Sequence, residues 1–304
     1  LEENKDEGPF FLYVDTFDPH EPWDPPDSYL RMYEPEGSYT GDNIVYPRYT
    51  DADFYTPAEM RHIRALYAGE VSLVDTWIGH LMQRVEALGL LDDTAIIVTT
   101  DHGFCHGEHN LQGKGYIWDG HFANCPLWEE IAHIPLMIRL PGQHHATRLS
   151  GLVQPPDVSR TLLELAGARL PETFQGQSLV PMMAGRCDSI REGTISSPAL
   201  SYDSNAGRPT TITSGGWSLI HYGSPDAPLF AALQHAIDHV ERSAMVPQGR
   251  VPKPMLFKLD EDPGQQHDLI DQYPEVAQRL HDYFLDQCEQ LGMNETYLRH
   301  RRKL

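Results

Sequence analysis

The sequence contains no long hydrophobic run. Its 304 residues include no stretch of about 18 consecutive apolar side chains, which is the length that a membrane-spanning helix needs. The opening residues, LEENKDEG, also lack the basic start and the apolar stretch of a signal peptide. We therefore expect no membrane partner for this chain.

Basic residues are scarce. Lys and Arg number 23 against 44 Asp and Glu, which gives a formal net charge of −21. A surface with this average charge repels polyanions, so we expect no nucleic-acid partner. A small anion can still be held locally, where a metal ion or a cationic side chain faces it.

Cysteines are few and scattered, at Cys105, Cys125, Cys187 and Cys288. Four cysteines do not make a disulfide framework in a chain of this length, and no Cys-x-x-Cys pair indicates structural zinc. Few cysteines and no visible leader favour the cytoplasm. A periplasmic or secreted location stays open if an N-terminal segment precedes this sequence.

The residues that are present predict a globular α/β protein, with 40% hydrophobic and 22% charged side chains. Thr56-Pro57-Ala58-Glu59 has the pattern of a helix start, and apolar residues then recur every three or four positions up to Leu88. TAIIVTT, residues 94–100, is apolar on both faces and predicts a central parallel strand. Residues 10–14, FFLYV, predict another buried strand.

Further elements follow along the chain. We predict a strand over residues 134–140 and a helix over residues 157–166 that ends at Gly167. After about residue 193 the sequence changes to short strand-like segments and a last helix over residues 274–291. The predicted domains are therefore residues 1–192, an α/β catalytic part, and residues 193–304, a small α+β subdomain.

The candidate functional residues follow the predicted strands. Asp101 and His102 end the strand of residues 94–100, where ligands bind in open α/β sheets, and a carboxylate beside an imidazole suits a divalent cation. An ordinary strand-to-loop turn is the alternative. Lys114 lies between two glycines and could reach an anion held by the same metal, or it could be a solvated loop lysine.

His20 is held between Pro19 and the Glu21-Pro22 pair, and a fixed imidazole there could donate to an anion or protonate a leaving oxygen. It could equally belong to a polar turn. His109 is a further candidate for substrate binding. It belongs to a group of loop histidines that could shape a pocket, bind a second metal or simply be solvated: His106, His109, His121 and His133.

Several segments together resemble the sulfatases of the alkaline phosphatase superfamily, close to the arylsulfatase and phosphonate monoester hydrolase branch. They are YAGEVSLVDTWIGHLMQRVEALGLLDDTAIIVTTDHG, GEHNLQGKG, HIPLMIRLPG and, upstream, FLYVDTFDPHEPWDPP. VSRTLLELAG, GQSLVPMMAG and LFKLDEDPGQQHDLI are similar to the family's C-terminal part. The resemblance implies an alkaline-phosphatase-like α/β fold: a mostly parallel sheet flanked by helices, and a small C-terminal antiparallel sheet with a terminal helix.

The resemblance also implies a mechanism. A formylglycine made from Cys or Ser attacks sulfur or phosphorus, while one divalent metal ion and basic side chains hold the anionic oxygens of a small ester substrate. By position, Asp101 and His102 would be metal ligands, and Lys114 and His20 would be the catalytic and substrate-binding residues.

Two departures from the family pattern qualify this picture. The nucleophile motif, Cys or Ser followed by x-Pro-x-Arg, is missing, and so is the early acidic pair that completes the metal site. We therefore expect the N-terminal remainder of the catalytic domain, with the formylglycine, to lie upstream of this sequence. His102 stands where many sulfatases have Asn or Gln, which moves the expected metal from calcium towards manganese, zinc or iron.

Three functional hypotheses follow. The first is a sulfuric-ester hydrolase, and the second is a phosphonate monoester or phosphodiester hydrolase that uses the same residues. The third is a non-catalytic fragment or degenerate homologue. The natural substrate and the oligomeric state stay open, and a homo-oligomer is compatible with the sequence.

Overall fold

The computed structural model describes residues 1–118, 121–198, 208–224 and 253–304. The chain forms two compact units, the first comprising Leu1–His121 and Pro135–His145, and the second comprising Phe122–Ile134 and Ala146–Leu304. The sequence predicts a domain boundary after residue 192, between a catalytic part and a small subdomain. That boundary stays a prediction.

The helices in the described ranges are α1 (Asp27–Leu30), α2 (Pro57–Ala87), α3 (Glu129–Ala132), α4 (Pro155–Leu165), α5 (Val180–Met183), α6 (Pro274–Gln290) and α7 (Glu295–Leu298). The strands are β1 (Thr50–Asp51), β2 (Ile96–Thr99), β3 (Cys105–His106), β4 (Leu111–Gly113), β5 (Gly115–Trp118), β6 (His121–Asn124), β7 (Leu136–Arg139), β8 (Gly193–Ser196), β9 (Thr210–Ser214), β10 (Trp217–His221) and β11 (Met255–Lys258). None of these helices is both long and apolar enough to cross a membrane.

Helix α2 begins where the sequence predicts. The Glu59 backbone N–H donates to Thr56 Oγ1 at 3.3 Å, and the Thr56 N–H donates to Glu59 Oε2 at 2.7 Å. These reciprocal bonds satisfy two N–H groups that have no partner inside the helix. The first half of the apolar stripe is buried, with Ile63 and Leu66 at 0% and 1% exposure, and this half supports the loop that carries His20.

Strand β2 confirms the predicted strand of residues 94–100, but its pairing differs from the prediction. It pairs with β7 in antiparallel register, with Ile97 opposite Ile138. An apolar run on both faces predicts burial but not direction, and an antiparallel pair needs no crossover helix. Every strand pair whose register the described ranges show is antiparallel.

The prediction of a buried strand at residues 10–14 is wrong for this structure. The segment forms no strand, and its side chains are between 43% and 75% exposed. Apolar composition leads to burial only where a neighbouring strand or helix covers the side chains, and no described element does so here.

The second unit contains the predicted small antiparallel sheet and terminal helix. The strand order is β11-β10-β9-β8, and helix α6 packs on the sheet. The core between them includes Ile212, Leu219, Leu256, Leu280 and Phe284, all at most 1% exposed. The α/β class and the C-terminal sheet are thereby confirmed.

Two buried histidines face each other in the second unit: His221 is the last residue of β10, and His281 lies on helix α6. The rings of His221 and His281 are 4.6 Å apart between centroids, and their exposed fractions are 0% and 1%. Nε2 of His221 lies 2.9 Å from the Lys303 carbonyl oxygen, and Nε2 of His281 lies 2.7 Å from the Arg301 carbonyl oxygen, so both Nε2 atoms donate. Burial, together with neighbouring His281, lowers the pKa of His221 to about 3, and burial also lowers the pKa of His281.

These histidines predict an acid-sensitive second unit. In the unfolded chain a histidine binds a proton below about pH 6.5, whereas the buried rings stay neutral. Protons are therefore taken up on unfolding, and the free energy of unfolding should fall as pH decreases from about 6.5. Urea unfolding of the chain at a series of pH values measures this loss.

The variant His221→Gln removes one titrating ring, so its stability should depend less steeply on pH than that of the wild type. His267→Gln is the control, because the side chain of His267 is 80% exposed. Equal pH dependence in the His221→Gln variant and the wild type would contradict the prediction.

Candidate active site

The loop that carries His20 is anchored by a buried tryptophan. Trp23 is 0% exposed, and its ring meets the edges of Tyr67 and Phe104 with centroids 5.3 and 5.2 Å apart. Trp23 Nε1 donates to the Pro19 carbonyl oxygen at 2.9 Å. This hydrogen bond therefore links the residues on the two sides of His20. Tyr67 of helix α2 supplies part of the aromatic surroundings of Trp23.

A buried glutamate on α2 binds the residue that follows Trp23 in the same loop. The Asp24 N–H donates to Glu70 Oε1 at 2.9 Å, and Glu70 is only 3% exposed. Burial raises the pKa of Glu70, and the nearby carboxylates of Asp18 and Asp24 act in the same direction. The loop is thus tied to α2 through the neighbouring residues Trp23 and Asp24, which limits the positions that His20 can take.

Lys114 lies at the bend between β4 and β5. Strand β4 pairs with β3 through Gly113 and Cys105, and with β1 through Gln112 and Thr50. Gly113 has a φ of +138°, and a Cβ there would lie 3.0 Å from the Gly115 carbonyl oxygen. Glycine is required at this position because a side chain meets the backbone, so the Gly-Lys-Gly sequence builds the bend that presents the lysine.

The ammonium group of Lys114 lies between two imidazole rings. Its Nζ is 3.1 Å from Nε2 of His20 and 3.0 Å from Nε2 of His102. Each histidine places its other ring nitrogen on a backbone carbonyl: Nδ1 of His20 is 2.8 Å from the Glu21 oxygen, and Nδ1 of His102 is 3.0 Å from the Gly103 oxygen. A carbonyl accepts only, so Nδ1 carries the proton and Nε2 directs its lone pair at the lysine.

Asp101 adjoins this cluster from the end of β2. Its Oδ1 accepts from the His102 N–H at 2.8 Å, and its Oδ2 lies 3.4 Å from Nε2 of His102. Burial works to raise the pKa of Asp101, but His102, backbone N–H groups and Lys114 together hold it below the ordinary value. The carboxylate is therefore ionised at neutral pH, and its side chain is 81% exposed.

Asp101 and His102 could form part of a binding site for a divalent cation. Asp101 and His102 offer an anionic oxygen and an imidazole lone pair on the same side, which is a suitable pair of ligands. Within the described ranges, however, no group of three or more His, Cys, Asp or Glu side chains could hold a metal ion. The remaining ligands would have to come from outside those ranges.

The remaining candidate histidines from the loop group lie in different surroundings. His109 lies in the short turn before β4 with a left-handed φ of 54°, and its role in substrate binding stays a prediction. His106 is half-buried beside Trp23 and Tyr67, and burial of its ring lowers its pKa to about 4, so it packs with the aromatic core. His133 pairs with Glu129 at 2.7 Å in the second unit. The side chain of His121 lies outside the described residues.

Sequence reasoning did not single out the buried acids around His20. Glu21 and Glu70 are each 3% exposed, yet glutamates in a loop and on a helix are ordinarily solvated. The only available signal was the position of Glu21 beside His20.

A lysine and two histidines beside a carboxylate are side chains with which hydrolases can hold an anion. Comparison with known proteins gives the family. The sulfatase family model matches residues 1–168, and the model of the N-sulphoglucosamine sulphohydrolase C-terminal region matches residues 118–225. The chain belongs to the sulfatase family.

Individual relatives agree with this assignment. The chain is 27% identical over 226 residues to arylsulfatase K of Xenopus laevis, covering 74% of this chain and 37% of that protein. It is 30% identical over 208 residues to the multifunctional alkaline phosphatase superfamily protein PehA of Trinickia caryophylli, covering 59% of this chain and 38% of that protein. The matches thus span little more than a third of the length of these relatives.

Solved structures show the same fold. The yidJ protein of Bacteroides fragilis superposes with a TM-score of 0.72 at 19% identity, covering 100% of this chain and 58% of that chain. The phosphonate monoester hydrolase of Agrobacterium radiobacter gives a TM-score of 0.66 at 21% identity, covering 95% and 58%. The alkaline-phosphatase-like fold that the sequence predicts is confirmed.

The anchoring of the His20 loop gives a stability prediction. Trp23→Ala should lower the free energy of unfolding by about 3–5 kcal/mol, because it empties a fully buried aromatic site. Trp77→Ala is the matched control, since Trp77 is 65% exposed and its loss should cost less than about 0.5 kcal/mol. Urea unfolding measures both, and equal losses would disprove the role given to Trp23.

Proposed function

We propose that this chain forms one side of the active site of a metal-dependent sulfatase that hydrolyses small anionic sulfate esters. The observation that carries the proposal is the convergence of Lys114 with His20 and His102 beside Asp101, at 3.1 and 3.0 Å. Sulfatase family membership supports the same reaction class.

Lys114 is the proposed holder of the anionic oxygens. Its ammonium group is a fixed positive charge in a chain of net charge −21, so an anion meets local attraction where the average surface repels it. A cation already in position stabilises the negative charge that gathers on the ester oxygens in the transition state. The lysine can also donate a proton to a leaving oxygen directly.

His20 is the proposed second contact to the anion. In the tautomer that the Glu21 carbonyl favours, Nε2 has a lone pair, so His20 must gain a proton there before it can donate to a leaving oxygen. Its ring direction is set by the Glu21 carbonyl, which leaves Nε2 facing the lysine and the site.

Asp101 and His102 are the proposed ligands of one divalent cation. Such an ion would supply additional positive charge towards the ester oxygens. The formylglycine nucleophile is proposed to come from residues that this sequence does not contain, because the motif that would carry it is absent from the printed chain.

The N-terminal remainder of a sulfatase catalytic domain is the proposed structural partner. Its support is the set of exposed apolar side chains in the first unit, which another layer would cover: Phe11 at 75%, Tyr13 at 73%, Trp77 at 65% and Met137 at 60%. Covering such side chains would remove apolar surface from water, which would stabilise the contact.

Hydrolysis of phosphonate monoesters or phosphodiesters is a second candidate. His102 favours it, because a histidine at this position, together with the segment VDTFDPHEPWDPP, resembles the phosphonate monoester and phosphodiester hydrolase branch. The likeness to PehA, described as a multifunctional member of the superfamily, is compatible with activity on more than one class of ester.

An assay of the full-length gene product separates the candidates. Aryl sulfate and aryl phosphonate esters are offered in parallel, and we expect hydrolysis of the sulfate. Turnover confined to the phosphonate would support the second candidate, and no turnover of either ester would support a non-catalytic protein.

Lys114→Met should lower kcat/KM for the aryl sulfate by about 10²- to 10³-fold, as expected when one preorganised charge at the transition state is removed. Lys258→Met is the charge-matched control, because Lys258 pairs with Glu261 on the small sheet. A Lys114→Met enzyme with wild-type kinetics would show that this lysine is outside the site.

The metal preference tests the role of His102. The wild-type protein, equilibrated with equal amounts of calcium and manganese, should retain mainly manganese, whereas His102→Asn should retain more calcium because it replaces an imidazole with an oxygen ligand. Elemental analysis after removal of free metal gives the ratio. The control is His267→Asn, and a ratio unaffected by His102→Asn would remove this residue from the ligand set.

A further inference from the structure

We propose that Tyr49 and Glu21 form a positioning pair that fixes the ring of His20 and the bend carrying Lys114 relative to each other. The catalytic consequence of this pair rests on the proposed function. Its structural consequence, the tautomer and direction of His20, does not.

Glu21 contacts His20 twice. Its backbone carbonyl lies 2.8 Å from Nδ1 of His20, and its own carboxylate places Oε2 at 3.4 Å from the same nitrogen. Both groups are negative or partly negative, so both favour a proton on Nδ1. A carboxylate or carbonyl behind an imidazole fixes its tautomer and ring orientation in this way.

The carboxylate of Glu21 is itself buried and needs a partner. Its side chain is 3% exposed, and Oε1 accepts a hydrogen bond from the Tyr49 hydroxyl. A buried carboxylate without a donor would strongly destabilise the fold, because it loses its hydration and gains no hydrogen bond in exchange. The hydrogen bond from Tyr49 therefore offsets the cost of burying the Glu21 carboxylate.

Tyr49 also contacts the segment that carries Lys114. Its backbone oxygen accepts from the Ile117 N–H at 3.1 Å, and its ring carbon Cγ would lie 3.0 Å from a Cβ at Gly113. The ring thus lies against the glycine that precedes the lysine. One side chain consequently touches both parts of the site, the histidine loop through Glu21 and the lysine bend directly.

The protonation of the pair suits this task. Burial, and then the hydrogen bond and charge of Glu21, raise the pKa of Tyr49 well above its ordinary value. The Tyr49 hydroxyl therefore keeps its proton at neutral pH and can donate it to Glu21 in a hydrogen bond. Tyr49 thus acts as a fixed hydrogen-bond donor rather than as a proton carrier.

The tautomer of His20 provides the direct test. In the full chain labelled with ¹⁵N in its imidazole rings, the His20 signals, assigned by their loss in His20→Asn, should show the proton on Nδ1. Tyr49→Phe removes the donor to Glu21, and Glu21→Gln removes the negative charge. Both variants should lower the fraction of the Nδ1–H form.

Tyr283→Phe is the matched control. Its hydroxyl donates to the Gly193 carbonyl oxygen at 2.8 Å in the second unit, so it removes a partly buried tyrosine hydrogen bond without touching His20. Only variants that unfold cooperatively are compared, and Glu21→Gln, which keeps an oxygen acceptor for Tyr49, serves if Tyr49→Phe does not fold.

Kinetics of the full-length gene product supply the second readout. Tyr49→Phe should lower kcat by about 10- to 100-fold, the usual effect of removing such an outer partner, with a smaller change in KM, whereas Tyr283→Phe should leave both near wild type. If wild-type protein hydrolyses neither ester, the proposed function fails, and the tautomer measurement still decides the structural claim. An unchanged His20 tautomer in both Tyr49→Phe and Glu21→Gln would overturn the proposal.

Discussion

The ammonium group of Lys114 is shared between the Nε2 lone pairs of His20 and His102, and the geometry of the first unit depends on that sharing. Two neutral imidazoles can face one cation only if each keeps its proton on the opposite nitrogen. The carbonyl oxygens of Glu21 and Gly103 impose this condition. The backbone carbonyls therefore direct both rings, and the Glu21 carboxylate adds a second contact at His20.

Holding His20 in place requires buried acids, and each of them has a donor. Glu70 accepts from the Asp24 N–H, and Glu21 accepts from the Tyr49 hydroxyl. Unpaired, either carboxylate would destabilise the fold, whereas paired they fix the loop on helix α2 and on the bend before Lys114. Rigid placement of a catalytic group requires support of this kind from residues that do not touch the substrate.

The sequence predicts the elements of the site better than their surroundings. The capping box at Thr56 and the strand before Asp101 depend on local chemistry, and the structure contains both. The glycine-flanked Lys114 likewise lies at a bend that requires glycine at position 113. Strand direction and the exposure of residues 10–14 depend on what lies beside them, which periodicity does not encode. The burial of Glu21 could not be predicted from the sequence either, because only the fold brings the Tyr49 hydroxyl to this loop glutamate.

His102 joins the two parts of the proposed site, the metal ligands and the anion holders. Its Nε2 has a single lone pair, which here accepts from Lys114 and lies 3.4 Å from Asp101 Oδ2. A lone pair serves one partner at a time, so a cation bound by Asp101 and His102 excludes the lysine from that atom. The ammonium group would then keep only His20 as its neighbour in the cluster, and its remaining donors would be directed at the substrate. If Asp101 and His102 held a divalent cation, His102 would therefore no longer accept from Lys114, and the lysine would be available to the anionic oxygens of the substrate.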